Sequence, residues 1–253
     1  MPHNYEKVTF PGSSGTLSGS LQIPEGTPKG GVLLSHCFTC SKSLKVTRRL
    51  ASGIEDGGYA VLRYDFTGLG ESEGDFAETN VTTNIADIVS AADYLDRRGF
   101  GPTAMVGHSL GGAATLLAAA GIPNARAVVA VAAPAGPEHI AHLFTQQDID
   151  TALEHGRVAV SLAGRTFEIS GEFFSDLERH CTERIAELGR PLLVVHGPPD
   201  TIVPISEGHK IFDTARHQKW FAAIPDADHL FTRPGTAEKA AAAIVAFLDV
   251  FLS

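Results

Sequence analysis

Thr103-Ala104-Met105-Val106-Gly107-His108-Ser109-Leu110-Gly111-Gly112 decides how this chain is read. A short apolar run, the length of a buried strand, enters Gly-x-Ser-x-Gly without a linker, and an alanine-rich stretch of helical character follows. A serine on so sharp a strand-to-helix turn has a strained backbone, and its hydroxyl stands clear of the fold. Gly107 and Gly111 are required beside it, because a Cβ at either position would collide with the neighbouring strand and helix. The helix after Ser109 points free N–H groups and its positive dipole end at the same spot. Ser109 is therefore the candidate nucleophile.

Outward from this turn, strand-like and helix-like segments alternate. Residues 7–10 and 17–23 read as an antiparallel edge hairpin. Residues 31–35, 60–65, 125–133, 191–195 and 219–224 read as further strands. Helical spacing over residues 44–54 and around 85–95, and helices over 205–216 and 237–252, fill the intervals. The pattern predicts an α/β protein: one domain over residues 1–253, with a mostly parallel eight-stranded sheet and helices on both faces. Residues 134–190 break the rhythm. They are too long for an ordinary connection and contain a small hairpin turning at Ala163-Gly164. An insertion there lies above the carboxyl ends of the strands, and it reads as a lid.

A serine needs a base, and the sequence offers 11 histidines. Order and context choose among them. With a strand–Ser–helix elbow, the acid follows a later strand and the histidine comes last. Asp200 lies in Gly197-Pro198-Pro199-Asp200, directly after a strand, where two prolines stiffen the loop. His229 follows the last strand. His229 takes the Ser109 proton and Asp200 orients the imidazole. Asp226 and Asp228 are fallback acids, awkwardly close in sequence to His229. The oxyanion donors are the backbone N–H groups of Leu110 and of Phe38, in the loop His36-Cys37-Phe38-Thr39-Cys40-Ser41-Lys42. Cys37 stands where a glycine is usual. Cys37 and Cys40 read as two small residues packed beneath a tight turn, with a redox lock as the alternative. His36 and His108 are structural or pocket-lining. His139 and His142 share a helix face without a further ligand, so no metal is expected. Residues 65–74 lack the dinucleotide glycine spacing and form a structural loop, and no cofactor is expected.

The net charge of −9 argues against a nucleic-acid partner. Residues 1–7 lack the features of a secretion leader, and the apolar tract 240–252 is too short for a span and carries Asp249. The three cysteines do not suggest a disulfide framework. These features predict a cytoplasmic protein without membrane attachment, acting on a small molecule, its oligomeric state left open.

Asp65-x-x-Gly68-x-Gly70-x-Ser72-x-Gly74, the elbow at 107–112, Asp200 and His229 together resemble the α/β-hydrolase superfamily over nearly the whole chain. Residues 36–42, Asp228-His229-Leu230 and Thr232-Arg233-Pro234 are similar to the hydrolase half of bacterial fusions with an OsmC-type peroxidase-like domain. That second half is absent here, and its peroxide chemistry is not implied. The resemblance implies a serine hydrolase of the esterase kind, cleaving carboxylic esters of small to medium acyl groups. A thioester or an amide needs the same three side chains. The same fold can also serve as a non-catalytic ligand sensor or scaffold.

Overall fold

A computed structural model describes residues 5–101, 103–162, 164–180 and 182–252. The leader reading at Met1 to Asn4, the hairpin residue Ala163 and the third cysteine, Cys181, fall outside the described residues. The expected edge hairpin is formed by β1 (Tyr5–Pro11) and β2 (Thr16–Gln22). Next come β3 (Gly31–Ser35), α1 (Lys45–Asp56), β4 (Ala60–Tyr64), α2 (Val81–Arg97), β5 (Thr103–His108), α3 (Leu110–Ala119) and β6 (Ala125–Val131). After a long excursion the chain returns through β9 (Leu192–His196), α6 (Ile205–Thr214), β10 (Lys219–Ala223) and α7 (Thr236–Phe251). The excursion itself contains α4 (Gln146–His155), β7 (Arg157–Leu162), β8 (Arg165–Ser170) and α5 (Gly171–Leu177).

The eight-stranded sheet has the order β1-β2-β4-β3-β5-β6-β9-β10. Its first two pairings are antiparallel and the remaining five are parallel. Period-two alternation along the parallel strands feeds two cores. Val32, Leu34, Val61, Val106 and Val129 point to one face, where α1 and α7 cover them. Leu33, Leu62, Met105 and Val128 point to the other, under α2 and α3. Strands buried on both faces need continuous apolar runs, and this is why residues 31–35 and 192–196 are buried throughout.

This topology places the site. From β3 the chain moves outward to β4, then returns to add β5 on the other side of β3. The loop after β3 leads to α1 on one face and the loop after β5 to α3 on the other, so the two diverge at the carboxyl edge, the kind of switch point where open α/β sheets bind ligands. Strand β6 stops at Val131, two residues short of the expected 133. Ala132 has φ 46°, so the chain turns out of the sheet there.

The residues between β6 and β9 add no strand to the main sheet; β7 and β8 pair only with each other. Ile140, Phe144, Phe167, Phe173 and Phe174 bury themselves in the same core as α2 and α3. Asp176 of α5 anchors the excursion. It accepts hydrogen bonds from the Thr82 amide (2.8 Å) and hydroxyl (2.7 Å) at the start of α2.

Candidate active site

Ser109 sits between β5 and α3 with φ 56° and ψ −128°, a conformation that L-residues rarely hold. Three contacts over-determine it. Its N–H donates to the Val131 carbonyl at 2.9 Å, and its carbonyl accepts from the Gly112 and Ala113 amides at 2.8 and 3.2 Å. The flanking glycines are needed for the reason expected. A Cβ on Gly107 would lie 2.4 Å from the Gly111 carbonyl oxygen, and one on Gly111 would lie 2.2 Å from the His36 carbonyl oxygen. The second clash is with the loop after β3, so α3 and that loop touch backbone to backbone.

The three side chains singled out above meet at the carboxyl edge. The Ser109 hydroxyl lies 3.0 Å from Nε2 of His229, and Nδ1 of His229 lies 2.8 Å from Oδ2 of Asp200. The other Asp200 oxygen accepts the Ile202 and Val203 amides, each at 2.9 Å. Burial pushes the Asp200 carboxyl up, but the hydrogen bond and charge of His229 and the two amides outweigh it, and it is held below the usual carboxylate range. An ionised Asp200 can only accept, so His229 carries its proton on Nδ1 and presents a bare Nε2 to the serine.

Asp226 and Asp228 do not reach the imidazole. Asp228 turns back onto the Thr232 amide and hydroxyl, and Asp226 pairs with Arg233. His108 is structural, as its place inside the elbow suggests. Its Nε2–H donates to the His229 carbonyl at 2.8 Å, which holds the backbone that carries that imidazole. Burial, followed by the charge of His229, lowers the His108 pKa to about 3, so it stays neutral. His196 is a further support that the sequence reading missed. From the end of β9 it donates to the Val203 carbonyl at 2.8 Å and so braces the loop bearing Asp200. Its position immediately before Gly-Pro-Pro-Asp was the available signal.

Among the described residues, the Phe38 and Leu110 amides donate to no other protein group. They belong to the loop after β3 and to the first residue of α3, the segments brought together by the Gly111 contact. One expectation for this loop is corrected. Cys37 and Cys40 form a disulfide rather than packing as two free thiols. Thr39, at φ 57°, folds the chain into a turn that brings their Cα atoms to 5.5 Å, within bridging range. The Phe38 ring stacks on Phe173 (5.4 Å between centroids) and lies 5.6 Å from Phe76. His139 and His142 contact each other edge-on, and no group of metal-ligating side chains occurs among the described residues. No helix among them is long and apolar enough to cross a membrane.

The sequence profile of the Alpha/beta hydrolase family matches residues 30–246. The chain belongs to the Alpha/beta hydrolase family. Within that family it is similar to the esterase domain of a Rhodothermus marinus protein, whose crystal structure is 33% identical. That likeness covers 99% of this chain and 100% of the other, with a TM-score of 0.79. It is 29% identical to the protein YfhR of Salmonella typhi, over 90% of this chain and 76% of that protein. It is also 29% identical to mouse palmitoyl-protein thioesterase ABHD10, mitochondrial, over 70% of this chain and 59% of the mouse protein. The hydrolase fold thus comes with esterase and thioesterase relatives.

Proposed function

We propose that the chain is a serine hydrolase that cleaves carboxylic esters of small to medium acyl groups through an acyl-enzyme on Ser109. The observation that carries this reading is the unbroken hydrogen-bonded chain from Asp200 through His229 to the Ser109 hydroxyl. His229 accepts the serine proton as Oγ attacks the carbonyl carbon, and Asp200 stabilises the imidazolium that forms. The tetrahedral oxygen gains negative charge beside the Phe38 and Leu110 amides, with the positive end of α3 behind Leu110. The imidazolium protonates the leaving alcohol. Water then repeats the sequence on the acyl-enzyme and frees the acid.

Residues 134–190 act as the lid in this reading. Phe173 stacks on Phe38, and Arg165 Nη1 reaches the Thr39 carbonyl at 3.5 Å, so the excursion rests directly on the oxyanion loop.

Nitrophenyl esters of increasing acyl length test the proposal. The expected result is a burst of nitrophenol followed by steady turnover, with kcat falling at least about 10⁴-fold in Ser109→Ala. Normal turnover in that variant rejects the proposal. A thioester reading is favoured by the ABHD10 relative and uses the same steps with a thiol leaving group. Acyl thioesters of matched chain length, assayed beside the esters, distinguish the two by kcat/KM.

A further inference from the structure

The geometry points to His36 as a positioning residue for the oxyanion hole: its Nδ1–H sets the plane of the 37–38 peptide and so aims the Phe38 N–H. This inference rests on the proposed esterase reading, in which that N–H is one of the two oxyanion donors.

The protonation of His36 follows from its two neighbours. The Phe66 amide, which can only donate, lies 3.2 Å from His36 Nε2, so Nε2 must be the bare nitrogen. His36 is fully buried, and burial is the first of the causes that hold its pKa below the usual imidazole range, so the ring is neutral. Its single N–H is therefore on Nδ1, which lies 2.7 Å from the Cys37 carbonyl oxygen. That carbonyl and the Phe38 N–H belong to the same peptide unit. In a trans peptide they point in opposite directions, so fixing one fixes the other. The carbonyl is held a second time by the Cys40 amide, at 3.3 Å across the turn whose ends the disulfide joins. Both hydrogen bonds draw electron density from the peptide toward its oxygen and strengthen the N–H as a donor.

The contacts of the imidazole give a second line of argument. Its two nitrogens link three segments: the carboxyl end of β3, the oxyanion turn and the loop after β4. The His36 carbonyl itself packs against Gly111 of α3, where no Cβ fits. The same residue thus fixes the plane of one proposed donor and abuts the helix that carries the other. A residue needed only to fill the core would require neither nitrogen.

Two substitutions separate aiming from anchoring. His36→Asn puts an amide N–H close to the Nδ1 position and loses the partner of the Phe66 amide. His36→Gln reaches the Nε2 position with its carbonyl and loses the donor to Cys37. The expected result with a nitrophenyl ester is that Asn stays within about threefold of the wild type, whereas Gln loses about 10- to 100-fold in kcat with KM unchanged. That is less than the full loss of a donor, because the Cys40 amide remains. Inhibition by a trifluoromethyl ketone, which presents a tetrahedral oxyanion, should weaken in Gln by the same factor as kcat/KM. Gln as active as Asn, or more active, overturns the inference. If either variant fails to fold, ¹⁵N NMR of wild-type His36 decides: a protonated Nδ1 and a bare Nε2 uphold it, and the reverse tautomer overturns it. Failure of the underlying esterase reading is distinct, since the wild-type protein itself would then neither turn over esters nor bind the ketone.

Discussion

Replacing Asp200 by Asn removes one charge and changes one atom, yet the site leaves the new side chain a single workable orientation. Oδ1 of Asp200 accepts two backbone amides at 2.9 Å, and Oδ2 accepts Nδ1–H of His229 at 2.8 Å. An asparagine that turned its NH₂ toward Ile202 and Val203 would oppose two N–H donors, each left unpaired at about 1–3 kcal/mol. It must therefore keep its oxygen there and present its NH₂ to the imidazole. His229 then accepts at Nδ1, carries its proton on Nε2 and faces the Ser109 hydroxyl with a donor where a base is needed. The loss of the correct tautomer together with the loss of the stabilising charge is expected to lower kcat about 10⁴-fold, which is about 5.5 kcal/mol in the barrier. KM for a nitrophenyl ester should stay within a few-fold, because Asp200 is buried beneath His229 and meets no substrate. Steady-state kinetics and circular dichroism of the purified variant check this. A folded Asp200→Asn enzyme with kcat within tenfold of the wild type would refute the tautomer argument and, with it, the proposed role of Asp200.

Two further outcomes follow from backbone strain and buried imidazoles. Ser109 has φ 56° and ψ −128°, which glycine adopts freely and alanine does not. Ser109→Gly should therefore be more stable than Ser109→Ala by about 1 kcal/mol in urea unfolding, the relief of strain being partly offset by glycine's greater freedom in the unfolded chain. An alanine variant as stable as the glycine variant contradicts the strain. Stability should also fall on mild acidification. Unfolded imidazoles bind protons near pH 6.5, whereas buried His108 stays neutral down to about 3. Through that window the unfolded state holds more protons, so stability drops by up to about 1.4 kcal/mol per pH unit for this residue. His36 and His196, also held below the usual range by burial, add to the same slope. Asp200, with its lowered pKa, acts in the same direction, its contribution disappearing only as pH falls through that lowered value. Urea unfolding curves at pH 7, 6 and 5 should show the decline, and a flat profile would refute it.

The elbow was legible because the residue types it requires are adjacent in sequence. A buried strand, two glycines that leave room for backbone, a serine and a small-residue helix follow one another within ten residues, although the backbone they meet at His36 and Val131 lies far away in sequence. The central strands were legible for a similar reason, since strands covered on both faces must be apolar throughout. Strand ends were less so. β6 stops where Ala132 turns to positive φ, a conformation that alanine itself does not favour. The pairing of Cys37 with Cys40 was missed because a spacing of three residues permits a bridge without requiring one. The turn at Thr39 decides it, and the loop's packing against α3 and the Phe173 ring fixes that turn.

Histidine shows the division most clearly. Chain order singled out His229 from 11 candidates, and the motif singled out Ser109, because a histidine after the last strand and a serine after a central one emerge at the same edge of a parallel sheet. The amino-acid order thus determined the sheet, its polarity and the three side chains that could meet. What His36, His108 and His196 do was decided only by the folded molecule. Each hydrogen-bonds a backbone carbonyl that orients a neighbour, and the proton on each ring is assigned by partners up to 121 positions away along the chain. Periodicity and motif record which residues are apolar and which are reactive, whereas a hydrogen bond depends on distances of a few tenths of an ångström that only the packed chain sets.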